Sequence, residues 1–192
     1  LIFPHHEAEI AQMEAISGKS PLVRYWMHTG FLTVQGQKMS KSLGNFITIK
    51  DFLKENSARV LRFFVLKSHY RSPIDYSEKE IEQAKKELER IDEFVDLLKS
   101  NLPKSISSRF DLREFEKQFE EALEDDFNTP KALAVIFDLI TTGNFLKSED
   151  KLSRADAKNI LGFLKKADKI FNFIFWPKEK EKIPEEVLEL VK

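Results

Sequence analysis

From Ser77 onward, apolar residues recur at helical spacing. Ile81, Ala84, Leu88, Ile91, Val95 and Leu98 alternate steps of three and four, which draws one apolar seam along a helix. Leu112, Phe115, Phe119 and Ala122 repeat the pattern, as do Leu133, Ile136, Phe137 and Ile140, then Ile160, Leu161, Leu164, Ala167 and Phe171. NLPKSISS and TTGNFLKSED read as the connections between these segments. Four amphipathic helices with short connections predict an all-α helical bundle over 77–192. No period of roughly 20–50 residues recurs, which excludes a solenoid. WPKEKEKIPEE reads as a loosening of the chain, and VLELVK as the opening of a further element.

Residues 1–76 have a different texture. Leu1, Ile2 and Phe3 read as the end of a buried strand; Pro4 then leads into a helix over His5–Ile16, closed by SGKSP. RYWMHTGFLTVQGQKM reads as strands, with a hairpin turn at Gln35-Gly36 after FLTV. TIKDFLKENSARVLRFFVLKS carries helical spacing, with Thr48 as its N-cap and Asp51 where a capping box wants an acid. The first residues lack an initiator Met and any signal-peptide pattern, so the chain reads as a piece of a longer protein.

Composition narrows the classes. Lys plus Arg (31) nearly balance Asp plus Glu (32), so nucleic-acid binding has to rest on local patches rather than an overall basic field. The lysines of AKK and LKKADK alternate with acids and read as solvated faces. The absence of cysteine excludes disulfides and thiolate ligands from this stretch and suits a reducing, cytoplasmic setting. No apolar run approaches the ~20 residues of a membrane span. With 42% hydrophobic residues and 17 Phe, a substantial core can form.

The densest chemical signal is GQKMSKSLGN. Lys38 and Lys41 on a loop suit one task well: neutralising a polyphosphate while charge shifts in nucleotidyl transfer. Ser40, Ser42 and the backbone N–H groups near Gly44 add donors for phosphate oxygens, and Gly36 and Gly44 are candidate hinges. Without further context the same stretch reads first as a polar turn with solvated lysines. His5 and Glu9, four apart on a helix, share a face and can be either an exposed pair or two ligands of one Zn²⁺.

The string KMSKS is the signature of class I aminoacyl-tRNA synthetases, and this loop resembles theirs. FPHHEAEIAQ, WMHTGFLTVQGQKMSKSLGNF, HYRSPIDYS and EDDFNTPKAL together resemble cysteinyl-tRNA synthetase over residues 3 to about 137. The resemblance implies a mixed fold: the C-terminal part of a Rossmann-like α/β catalytic domain with a connector over 1–76, then the helical, anticodon-side tRNA-binding bundle. It implies ATP (with Mg²⁺), cysteine and its tRNA as substrates, Lys38 and Lys41 as catalytic residues, and Lys38, Ser40, Lys41 and Ser42 around the nucleotide. It also implies that His5 and Glu9 hold a zinc whose thiolate ligands lie upstream, together with an H-I-G-H motif; this chain contains neither. His6 and Glu7 fall on other faces of that helix and support the ligands at best. His28 reads either as a neighbour of the nucleotide or as a histidine packed by Trp26 and Phe31. Thr129-Pro130 reads as a helix start, with Thr129 as N-cap and Pro130 at the first helical position, and Arg71 as a tRNA-phosphate contact or an ion pair with DYSEKE. The related cysteine ligase of mycothiol synthesis and a non-catalytic RNA-binding module are the rival readings.

Overall fold

The computed structural model describes residues 2–39, 44–104 and 110–177. Its elements in order are a π-helical turn (Ile2–His6), α1 (Glu7–Ser17), β1 (Leu32–Val34), β2 (Gln37–Lys38), α2 (Ile49–Glu55), α3 (Ala58–Leu66), β3 (Ile74–Tyr76), α4 (Glu78–Lys99), α5 (Arg113–Glu124), α6 (Thr129–Ser148) and α7 (Arg154–Phe171).

β1 lies at the centre of a three-stranded sheet ordered β2-β1-β3. It pairs antiparallel with β2 (Thr33 opposite Lys38) and parallel with β3 (Leu32 opposite Ile74). The parallel pair needs a long crossover, and α2 and α3 supply it. Gln35 (φ 52°) and Gly36 (φ 74°) both take positive φ, the backbone that a two-residue hairpin matching strand twist requires. Gly30 is where the chain passes closest to its neighbour: a Cβ there would collide with the Ser72 carbonyl. Tyr76 carries the sheet onto the helices, edge-on to Phe52 and Phe64 with ring centroids 6.2 Å apart in each case.

One continuous apolar core runs from Phe52 of α2 to Ile174 beyond α7. Phe63, Phe94, Phe171 and Phe173 are its largest fully buried side chains. Asn172 turns left-handed (φ 52°) after α7, and the Asp168 carboxylate accepts the N–H groups of Phe173, Ile174 and Phe175 at 2.8, 2.7 and 3.1 Å. That cap folds Phe173 back under α3, where Arg59 Nε donates to its carbonyl at 2.8 Å. The same guanidinium grips Asp92 of α4 through two 2.7 Å bonds. No described helix is long and apolar enough to cross a membrane.

Several expectations are corrected. Ile2 and Phe3 form no strand; they lie in the π-helical turn and are 64% and 81% exposed. Leu1 lies outside the described residues, as do 105–108 of NLPKSISS and the segment from 178 on. TTGNFLKSED is helix through Ser148 rather than a connection. Gly143 is tolerated within α6 because it abuts the Phe94 ring, where a Cβ would come within 2.5 Å. The single helix expected after Thr48 is two, broken at extended Asn56; Ser57 caps the second by accepting from Val60 N at 3.3 Å. Thr48 is a cap as expected, accepting from Asp51 N at 3.0 Å and donating to the Asp51 carboxylate at 2.6 Å. The cap of α6 is Asn128, which accepts from Lys131 N at 3.2 Å, and Thr129 is its first helical residue.

Candidate functional site

Two constellations stand on the first part of the chain. The first is built on the Pro4-started turn and α1. His5 Nε2 lies 3.3 Å from Glu9 Oε1, and His6 Nδ1 lies 3.0 Å from Glu9 Oε2. One carboxylate thus holds two imidazoles, those four and three residues before it. The 3.3 Å gap between the His5 and Glu9 atoms matches the edge of a tetrahedron with bonds of about 2.1 Å, roughly 3.4 Å. The pair therefore fits two corners of a zinc site. No group of three or more His, Cys, Asp or Glu able to hold a metal occurs among the described residues, so the remaining corners are not filled by them.

His6 plays a larger part than its place on the helix suggested. Its ring packs edge-on against Trp26 (4.7 Å) and His28 (5.0 Å). The buried Nε2 atoms of both His6 and His28 have no hydrogen-bond partner. His28 packs edge-on against His6, and Phe31, one of the two aromatic residues expected to pack it, is 73% exposed. The signal for His6 was available, since positions three apart on a helix face each other.

The second constellation is the base of the lysine loop. Lys38 closes the hairpin, opposite Thr33, with its Nζ 5.8 Å from the Phe31 ring centroid. Asp75 of β3 pins the turn: its Oδ1 accepts the Gly36 N–H at 2.8 Å and the Thr33 hydroxyl at 2.7 Å. These bonds, the Gly36 N–H first, hold the Asp75 carboxyl below its ordinary pKa. Asn45 Nδ2 donates back to the Lys38 carbonyl at 3.3 Å, so both ends of the loop meet. Ser40, Lys41 and Ser42 lie outside the described residues.

The strand bearing this loop is tied to the bundle through HYRSP. Gly30 N donates to Tyr70 O at 2.7 Å. Tyr70 Oη and Arg71 Nε then reach Asp126, between α5 and α6, at 2.6 and 2.5 Å, and His69 Nε2 meets the Asp126 carbonyl at 3.1 Å. Arg71 first, then Tyr70, lowers the Asp126 pKa to about 2. Arg71 pairs with Asp126 and not with DYSEKE. The partner lies 55 residues away in sequence, beyond any local pattern.

Residues 1–86 match the family model of the class I (C) tRNA synthetase catalytic domain, and residues 118–175 match that of the DALR domain. With the lysine hairpin on the first and the helices on the second, the chain is a class I aminoacyl-tRNA synthetase segment. It belongs to the cysteinyl-tRNA synthetase family. The cysteine–tRNA ligase of Carboxydothermus hydrogenoformans is 45% identical over 94% of this chain and 39% of its own length. That of Thermococcus onnurineus is 42% identical over 100% of this chain and 43% of its own, and that of Legionella pneumophila (strain Corby) 48% identical over 89% and 37%. The chain thus spans about two fifths of the curated relatives it matches. Among solved structures, the LeuRS of Agrobacterium radiobacter K84, in a ternary complex with tRNA and LeuAMS, shares the fold at TM-score 0.57 and 18% identity, over 79% of this chain and 22% of that one.

Proposed function

We propose that this chain supplies the lysine-loop end of the catalytic domain (1–76) and the helical tRNA-binding part (77–192) of an enzyme that ligates cysteine to its tRNA, in the cytoplasm, through cysteinyl-adenylate. One observation carries the reading: Lys38 leaves a hairpin pinned by Asp75, so a cation is presented from a fixed base at the edge of a class I catalytic fold. Attack of the cysteine carboxylate on the α-phosphorus of ATP·Mg²⁺ breaks the bond to pyrophosphate and loads negative charge onto both fragments. Lys38 and Lys41 neutralise that charge, and Ser40 and Ser42 donate to the phosphate oxygens. His5 and Glu9 hold two corners of a zinc site, and His6 fixes the Glu9 carboxylate. Zinc bound there supplies a soft partner for the cysteine thiolate, which the hard hydroxyl of serine cannot imitate.

Exposed apolar side chains, among them Ile16 (88%), Tyr25 (87%) and Phe3 (81%), mark the surface that the rest of such a catalytic domain covers. The 192-residue chain alone is therefore expected to show no cysteine-dependent ATP–pyrophosphate exchange. In the intact enzyme, Lys38→Ala or Lys41→Ala lowers that exchange by roughly 10²–10³, the loss typical for one preorganised charge-stabilising donor. Exchange at the unaltered rate in the double variant refutes the assignment.

A further inference from the structure

Along the sequence the lysines of the bundle alternate with acids; folding sorts them. Lys99, Arg154, Lys158 and Lys165 line one open groove of about 660 Å³ between the end of α4 and the outer face of α7, and among the described residues no carboxylate lines it. Arg154, Lys158, Leu161 and Lys165 follow one another at steps of four, three and four, so they share a face of α7. At about 1.5 Å per residue the three cations run along roughly 16 Å of rigid helix.

Among the described residues, Lys99 alone of these four cations has a carboxylate partner. Arg154 Nη2 donates to Asn101 Oδ1 at 2.7 Å, a neutral group that orients the guanidinium. Lys99 Nζ is 3.9 Å from Asp96 Oδ1 and 5.8 Å from the Phe175 ring centroid. Among the described residues no carboxylate pairs with Lys158 or Lys165, whereas the adjacent Lys166 is 3.7 Å from Glu116. Acids stand beside the groove, since Lys158 and Gly162 also line an adjoining hollow with Asp111, Glu116 and Asp156. Gly162 lies in the groove, and a methyl group in place of its hydrogen would meet nothing within 4 Å, so the helix backbone is open to close approach.

The geometry points to this groove as a binding site for an RNA phosphate backbone. A regular row of cations on one helix matches a polymer carrying one fixed negative charge per nucleotide, with release of condensed counterions as the driving force. An acidic peptide fits less well, because none of the described residues lining the groove lies in a strand with which an extended chain could pair. The inference rests on the reading of the chain as part of a tRNA ligase and names the surface through which the tRNA is held.

The test compares Lys158→Gln/Lys165→Gln with Lys79→Gln/Lys86→Gln, an exposed pair of the same spacing and charge on α4. Binding of a cysteine-accepting tRNA to the 192-residue chain is titrated across salt concentrations, with circular dichroism confirming that helicity is retained. The groove pair is expected to flatten the slope of log K against log salt by about 2 and to weaken binding roughly 30-fold at about 0.15 M salt. The α4 pair is expected to leave both unchanged. Equal losses in the two variants, or displacement of tRNA by charge-matched polyglutamate as readily as by competing RNA, overturns the proposal. Cysteine-dependent ATP–pyrophosphate exchange by the intact enzyme, assayed without tRNA, tests the underlying reading separately. The groove pair leaves that exchange unchanged and raises the KM for tRNA in aminoacylation.

Discussion

Substituting Gly143 by alanine puts the helical course of 141–148 and its packing to a quantitative test. A Cβ at this position would sit 2.5 Å from both Cε2 and Cζ of Phe94. Ordinary carbon–carbon contacts are about 3.5–4.0 Å, so the ring would have to withdraw by about 1 Å or more. Phe94 is 1% exposed, and overpacking of a buried ring costs about 1–3 kcal/mol. Against that, alanine improves helix propensity over glycine by about 1 kcal/mol. The net expectation is destabilisation of about 1 kcal/mol, or roughly 2–4 °C in Tm for a chain of this size. In a Phe94→Leu background the ring is gone and only the propensity gain remains. There Gly143→Ala should change sign and stabilise by about 0.5–1 kcal/mol. Urea unfolding followed by circular dichroism on the four proteins of this cycle measures the coupling directly. If Gly143→Ala is stabilising with Phe94 present, or the cycle shows no coupling between the two positions, the close α4–α6 crossing is wrong.

Further outcomes follow for the two constellations. Asp126 has a folded pKa of about 2, below its ordinary value of 3.8, so the stability it contributes is present above about pH 4 and is lost as pH falls toward 2. The stability difference between the wild type and Asp126→Asn, measured by denaturant unfolding at several pH values, should therefore shrink between about pH 4 and 2; a constant difference contradicts the ion-pair account. His6 fixes one Glu9 oxygen, so His6→Ala in the intact enzyme should weaken zinc binding by roughly 10–100-fold in a chelator competition, and unchanged affinity removes His6 from the site.

What the sequence disclosed follows the range of each interaction. Seams such as Ile81 to Leu98 and Ile160 to Phe171 are local, and they lie on α4 and α7 with most of their residues buried. The hairpin turn at Gln35-Gly36 and the cap at Thr48 were equally local and equally readable. The continuation of α6 through Thr141-Thr142-Gly143 was hidden because its reason is the Phe94 ring, 49 positions away and known only once α4 and α6 pack. The α2–α3 break was signalled by Ser57, a good N-cap, but the apolar spacing runs across it and masks it. At the candidate site the His5–Glu9 relation follows from helix geometry, whereas the Arg71–Asp126 pairing depends on tertiary contact.

That pairing bears on how the lysine loop is positioned. Exposed ion pairs contribute little to stability, so a cluster with Arg71 59% and Asp126 42% exposed has its main consequence in geometry. Three successive side chains, His69, Tyr70 and Arg71, converge on one aspartate, and between them they reach its carbonyl and both carboxylate oxygens. Such an arrangement fixes orientation as well as distance. On one side it is continuous with Gly30, whose backbone lies directly under Ser72 and leads into β1 and the Lys38 hairpin. On the other it holds the left-handed Asp126-Phe127 turn that sets the start of α6. A displacement of the bundle by a bound RNA would therefore reach the base of the lysine loop through a few short polar contacts and one glycine, with no flexible linker among the described residues between them to absorb it.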